Sequence, residues 1–217
     1  MGSERLLDPF IAAADRALRA LAAPAHASRP YPSRPEASPL PAPGPSLDAT
    51  QRHESAALMR VNHAGEVAAQ ALYHGQAMVA RSPATRELLL KAAREEADHL
   101  GWCEQRLREL GSGPSVLNPL WYAGSFAIGA VAAAFGDGAS LGFVAETERQ
   151  VEGHLDEHLQ RLPIADVTSR AVVDAMRNDE IAHAATARAA GAIELPGVIR
   201  GLMRAAATVM TRTAYWI

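Results

Sequence analysis

The chain has 217 residues, enough for one domain with a substantial core plus appendages. Hydrophobic residues make up 48% and aromatics only 5%, with alanine prominent, which favours packed helices over strands. A net charge of −3 gives no reason to expect nucleic acid, and a single cysteine, Cys103, excludes a disulfide within the chain and any cysteine-rich metal site.

Residues 1–23 interrupt their apolar positions with Asp8, Asp15, Arg16 and Arg19, so an amphipathic helix is expected there rather than a signal peptide. Eight of the fourteen prolines then fall in 24–47. Proline lacks the amide donor and blocks the preceding turn, so this stretch reads as an extended linker. The main domain is expected over 48–217. Its first helix runs from about Asp48 to Arg81. Ser82 and Pro83 supply an N-cap and a first-turn proline for a second helix, which ends at Gly111.

From Leu110 to Gly136 the chain carries no charge. The dense apolar part, Leu120–Phe135, is shorter than the ~20 residues a spanning helix needs. A buried crossover helix, or one lying against a bilayer, is the expectation. A third bundle helix begins near Ala139 and stops before Pro163. A fourth follows Asp166 and ends around Gly191. The last opens at Pro196 and sets Val198, Leu202, Ala206 and Val209 on one side, with Arg200, Arg204 and Arg212 on another.

Stepping three or four residues along the four bundle helices exposes an anomaly. The second helix reads Leu89, Ala92, Glu96, His99, Cys103, Leu107, and the fourth reads Val173, Met176, Glu180, His183, Ala187, Ala190. Each places a Glu-x-x-His pair inside its apolar stripe. The first helix gives Met59, Asn62, Glu66, Ala69, Tyr73, Ala77, and the third gives Leu141, Val144, Glu148, Val151, Leu155, Leu159, each with one inward acid. Burying lone carboxylates costs several kcal/mol, so positive charge must wait in the core.

A glutamate from each of two helices, with Glu-x-x-His from two others, is the ligand set of di-iron and di-manganese carboxylate bundles. Glu66, Glu96, His99, Glu148, Glu180 and His183 are therefore the candidate metal ligands. Four carboxylates offset two divalent cations, leaving a neutral cluster. With 15 glutamates and 8 histidines, chance yields about 0.6 Glu-x-x-His pairs in such a chain, so two on apolar stripes carry weight. Zinc is the weaker metal choice for a carboxylate-rich six-ligand site without HExxH. Glu146 and Glu152 compete with Glu148 on the third helix. Glu95, Asp98 and Asp179 are expected to face solvent, His63 and His74 to serve packing or hydrogen bonding, and Cys103 to be a buried inert thiol.

The segments "RVNHAGEVAAQALYHGQ", "EEADHL", "ETERQVEGHL" and "DEIAHAATA" together resemble the bacterial demethoxyubiquinone hydroxylases of ubiquinone biosynthesis, over roughly 48–217. The resemblance implies an all-α, ferritin-like four-helix bundle with additional membrane-facing helices. It implies a peripheral membrane enzyme, expected at the cytoplasmic face of the cell membrane. The reaction it implies is hydroxylation of a polyprenylated methoxy-methyl-benzoquinol with O₂, a late step of ubiquinone biosynthesis. Carried over, the ligands are the six residues above, holding two iron ions per chain with Glu96 and Glu180 bridging. Some relatives place tyrosine directly after the histidine matching His154. Here Leu155 stands there, leaving His154 alone as a candidate bordering the site.

Residues 1–47 lie outside the resemblance and receive no chemical role. No dinucleotide fingerprint appears, since "GDGASLG" has the wrong glycine spacing and no preceding strand, so reducing equivalents are expected from outside, from an external electron donor or reductase or from the quinol itself. Other ubiquinone-biosynthesis proteins and a small homo-oligomer complete the expected partners. The rival function on the same bundle is iron storage or detoxification.

Overall fold

The computed structural model describes residues 4–22, 27–32 and 46–217. Among them are seven helices and no strand: α1 (Glu4–Ala22), α2 (Ala49–Val79), α3 (Pro83–Glu109), α4 (Asn118–Ala134), α5 (Asp137–Arg161), α6 (Val167–Ala189) and α7 (Gly197–Trp216).

Local sequence sets the helix ends. The Asp48 side chain accepts the Gln51 amide at 2.8 Å while the Gln51 side chain accepts the Asp48 amide, a reciprocal cap that starts α2. Ser82 and Pro83 open α3 as expected. Asp166 accepts the Ser169 amide to start α6, and its carboxylate also receives Arg106 of α3 at 2.8 Å.

The hairpins α2–α3 and α5–α6 pack into a four-helix bundle, and α4 crosses from the end of one to the start of the other. The uncharged segment is thus a crossover helix, but only one of its faces is covered. Asn118, Tyr122, Gly129 and Ala133 are buried, whereas Leu120, Val131 and Phe135 are 59%, 61% and 79% exposed. Backbone fits against backbone where α4 meets α2. A Cβ added at Gly75 would stand 2.1 Å from the Phe126 carbonyl oxygen, and one at Gly129 would stand 2.2 Å from that of Leu72. Only glycine allows this approach.

Two buried histidines fasten the same contact: His63 Nδ1 receives the Asn118 amide at 3.2 Å, and His74 Nδ1 pairs with the Tyr122 hydroxyl at 3.0 Å. Burial pushes both imidazoles down to about 4, so they are neutral hydrogen-bonding groups near pH 7. The reading of His63 and His74 as packing residues agrees with this geometry.

α7 returns to the bundle at its C-terminal end. Arg60 donates to the Tyr215 carbonyl at 2.9 Å and to Ser112 Oγ at 2.9 Å, and the Tyr215 hydroxyl bonds Glu54. Ala214 is its one buried residue. Val198, Leu202 and Val209 point outward, 75%, 63% and 61% exposed.

α1 lays Ala17 and Ala20 against Val67, Ala71 and Leu100. The stretch 24–47 is not wholly a spacer. Residues 27–32 lie against the bundle, with Ala27 and Tyr31 packed on the cluster that contains Trp102 and Met176. Residues 1–3, 23–26 and 33–45 of the expected N-terminal helix and linker lie outside the described residues.

The bundle core is divided. Leu58, Met59, Cys103, Leu107, Leu155, Val173 and Met176 fill one end. Ala69, Tyr73, Leu89, Ala92, Val144 and Ala187 fill the other. On every bundle helix the inward acid stands between these two apolar groups in sequence.

Candidate metal centre

The stripe spacing brings the four inward acids to one level. Glu66 comes from α2, Glu96 and His99 from α3, Glu148 from α5, and Glu180 and His183 from α6. All four glutamates are at most 3% exposed and His99 is fully buried. Ligand atoms of Glu66, Glu96, His99 and Glu180 lie within 4.8 Å of one another, as do those of Glu96, Glu148, Glu180 and His183.

Glu96 and Glu180 belong to both groups, and their individual oxygens show how. Glu96 Oε2 is 3.1 Å from His99 Nδ1 and its Oε1 is 3.3 Å from His183 Nδ1. Glu180 Oε1 is 3.2 Å from His99 Nδ1 and its Oε2 is 3.3 Å from His183 Nδ1. Each carboxylate therefore faces both histidines. Glu66 approaches only the His99 side, at 3.5 Å, and Glu148 only the His183 side, at 4.0 Å.

The outer nitrogens are held crosswise. His99 Nε2 of α3 pairs with Asp179 Oδ2 of α6 at 2.9 Å, while His183 Nε2 of α6 pairs with Glu95 Oε2 of α3 at 2.9 Å. These bonds turn both Nδ1 atoms inward and fix the ring orientations. The expectation that Glu95, Asp98 and Asp179 face solvent is corrected. Glu95 and Asp179 reach across to the opposite helix, and Asp98 is 3% exposed, receiving Ser28 and Arg29. Sequence offered a signal for the first two, since an acid precedes the glutamate of each pair: Glu95–Glu96 and Asp179–Glu180.

Burial, with help from neighbouring carboxylates, raises Glu66 and Glu148 well above the usual carboxylate range. Burial also opposes charge on Glu96, but hydrogen bonds from His183 and His99 outweigh it and lower that carboxyl. Burial disfavours the imidazolium of both histidines, yet the surrounding carboxylates raise His99 well above its ordinary value and hold His183 at about 12. Two divalent cations would answer the same buried carboxylates that here raise the two histidines. Both Glu148 oxygens are buried without a hydrogen-bond partner, an arrangement a cation would satisfy. The donor set fits a pair of hard or borderline divalent metals.

On α5 it is Glu148 that reaches the cluster. Glu146 turns away, bound by Arg149 at 2.6 Å and Gln150 at 2.6 Å, and Glu152 belongs to neither ligand group. His154 belongs to neither ligand group: its ring lies 3.9 Å from that of His158, and burial lowers both imidazoles. Cys103 is fully buried with its Sγ 3.7 Å from Met176 Sδ, the inert environment expected of it.

Residues 53–214 match the family described as ubiquinone biosynthesis protein COQ7. A protein of Variovorax paradoxus is 60% identical over 211 residues, 97% of this chain and 98% of its own. One of Ralstonia pickettii is 58% identical, covering 98% of this chain and all of its own. One of Bordetella petrii is 57% identical over 97% of this chain and 92% of its own. All three bear the name 3-demethoxyubiquinol 3-hydroxylase. The alignments extend beyond the expected 48–217 into the N-terminal segment that packs beside Asp98. An all-helical bundle with a carboxylate–histidine cluster at its centre, matched over most of its length, makes this chain a member of the COQ7 family.

Proposed function

We infer that the protein is a 3-demethoxyubiquinol 3-hydroxylase: a monooxygenase that adds one hydroxyl to the ring of a polyprenylated methoxy-methyl-benzoquinol in ubiquinone biosynthesis. The observation that carries this reading is the pair of four-atom ligand groups sharing Glu96 and Glu180, in a chain whose relatives bear that name. Glu66, Glu96, His99, Glu148, Glu180 and His183 would hold two iron ions, with Glu96 and Glu180 bridging. Iron bound there supplies the reductive activation of O₂ that ring hydroxylation needs.

The chain's own residues do the rest. Asp179 and Glu95 keep the two imidazoles aimed inward, and the apolar groups close the ligand layer off toward both ends of the bundle. Electrons come from an external donor. Incubating iron-loaded protein with a short-chain demethoxyubiquinol, a reductant and O₂ should give a product heavier by one oxygen atom. Unchanged quinol after O₂ consumption would refute the assignment. Iron storage draws no support from the relatives' names.

A substrate with a polyprenyl tail would draw the enzyme to a membrane surface, and we propose the cytoplasmic face for it. No helix among the described residues is long and apolar enough to cross a bilayer. The exposed apolar residues of α4 and α7 suit an interfacial position. Both helices pack on α2 and touch α5, the pair that carries Glu66 and Glu148. Arg204 and Arg212, exposed on α7, can meet anionic headgroups. The protein should float with phosphatidylglycerol-containing vesicles, less so in high salt, and a chain ending at Leu195 should float poorly. Wild-type protein left in the soluble fraction with every lipid would rule this position out.

A further inference from the structure

The two histidines of the cluster have unlike surroundings. Behind His183, Glu95 is one-third exposed and pairs with Lys91 at 3.1 Å, a side chain 67% exposed on the same helix. His183 is 11% exposed and borders a cleft of about 160 Å³ between α3 and α6, whose wall also includes Asp179 and Arg29, whereas His99 is fully buried. Behind His99 the partners are less exposed, 28% for Asp179 and 39% for the Arg29 that pairs with it. Asp179 Oδ2, which pairs with His99 Nε2, also takes an ion pair from Arg29 Nη2 at 2.7 Å.

Arg29 belongs to residues 27–32, outside the bundle helices, and it is firmly placed. Its Nε donates to Asp98 Oδ2 at 2.8 Å, and its guanidinium lies 4.7 Å from the Trp102 ring centroid. Trp102 in turn lies 5.3 Å, centroid to centroid, from the His99 ring. The Ser28 hydroxyl adds contacts of 3.0 and 3.1 Å to both Asp98 oxygens. One guanidinium therefore joins the carboxylate that orients His99 to the aromatic ring beside that histidine.

We propose that Arg29 is a positioning residue of the metal site, through which the N-terminal segment 27–32 fixes Asp179 on His99 and makes the His99-side metal the more firmly held of the two. A carboxylate held by an imidazole and ion-paired with a guanidinium that Asp98 and Trp102 also hold has fewer orientations open to it than one paired with an exposed lysine. A histidine fixed at its outer nitrogen presents its inner nitrogen with less freedom, and losing such a partner weakens metal binding about 10- to 100-fold. Arg29 stands one step further out, so the lower end of that range is expected. The His183 side, whose ring is partly exposed and whose partner carboxylate pairs with a 67% exposed lysine, keeps the freedom to adjust its coordination.

This inference rests on the reading of the cluster as a two-metal site, and the test separates the two. Full-length protein is loaded with Fe(II) and challenged with a chelator, and release is followed for wild type, Arg29→Ala and Arg29→Lys. Wild type that binds fewer than two irons overturns the two-metal reading itself. Given two irons, Arg29→Ala should release half of its iron about 10-fold faster than wild type, the other half unchanged. One of the two Fe(II) Mössbauer doublets should shift with it. Arg29→Lys, which keeps the charge, should recover part of the slow release. Thermal melting of the metal-free proteins provides the folding control. Two irons leaving Arg29→Ala at wild-type rates would overturn the proposal. So would a uniform acceleration of both with a lowered melting temperature, the signature of a merely structural contact.

Discussion

Replacing Glu180 by alanine should leave the protein unable to retain two irons and lower hydroxylation by about three orders of magnitude or more. The side chain has one oxygen toward each histidine, 3.2 Å from His99 and 3.3 Å from His183, so its removal takes a donor from both halves of the cluster. Glu148→Ala should weaken chiefly the His183 side. Glu146→Ala is the contrast: its carboxylate is bound to Arg149 and Gln150, away from the cluster, and iron content should stay near normal. Metal analysis after desalting, alongside turnover, measures all three. If Glu146→Ala loses iron and Glu148→Ala keeps it, the ligand assignment on α5 is wrong.

The second large effect concerns folding. Glycine-to-alanine changes inside helices ordinarily stabilise by about 1 kcal/mol, because alanine loses less backbone entropy. Gly129→Ala should do the reverse. Its Cβ would meet the Leu72 carbonyl oxygen at 2.2 Å, a backbone atom that cannot rotate away. α4 would have to lift from α2, disturbing the His63–Asn118 and His74–Tyr122 pairs as well. Overpacking of this kind costs about 1–3 kcal/mol or more, so the melting temperature should fall by about 5 to 10 °C. Gly153→Ala, on an exposed helical position with nothing within 4 Å, should leave it unchanged or slightly raised. Equal melting temperatures for the two variants would show that α4 does not need its close seat.

The bundle and the meeting of six side chains at its centre were legible in the sequence for one physical reason. Periodicity near 3.6 fixes which side chains share a face, and a charged residue on an apolar face must find partners inside. That choice separated Glu148 from Glu146 without coordinates. The supporting acids were not legible in the same way. Glu95 and Asp179 sit beside the stripes, on flanks where a side chain can reach either water or the next helix. Asp98 is buried by a segment 70 residues away, which no helical period within α3 can reveal. The proline-rich stretch misled differently: proline density argues for extended chain, and residues 27–32 are not helical, but an extended chain can still pack on a bundle.

The division of the core has a consequence for assembly. Two hairpins joined by a crossover can slide against each other along their axes, and apolar side chains alone discriminate poorly between one alignment and the next. A slip by a single turn, about 5.4 Å, would carry Glu66 and Glu96 of one hairpin into the aliphatic layers of the other. It would also part His99 from Asp179 and His183 from Glu95. Each stranded carboxylate would then cost several kcal/mol. The acidic layer thus works as a vernier mark, giving the hairpins one alignment in which acids and histidines meet at a common level, whatever chemistry later takes place there.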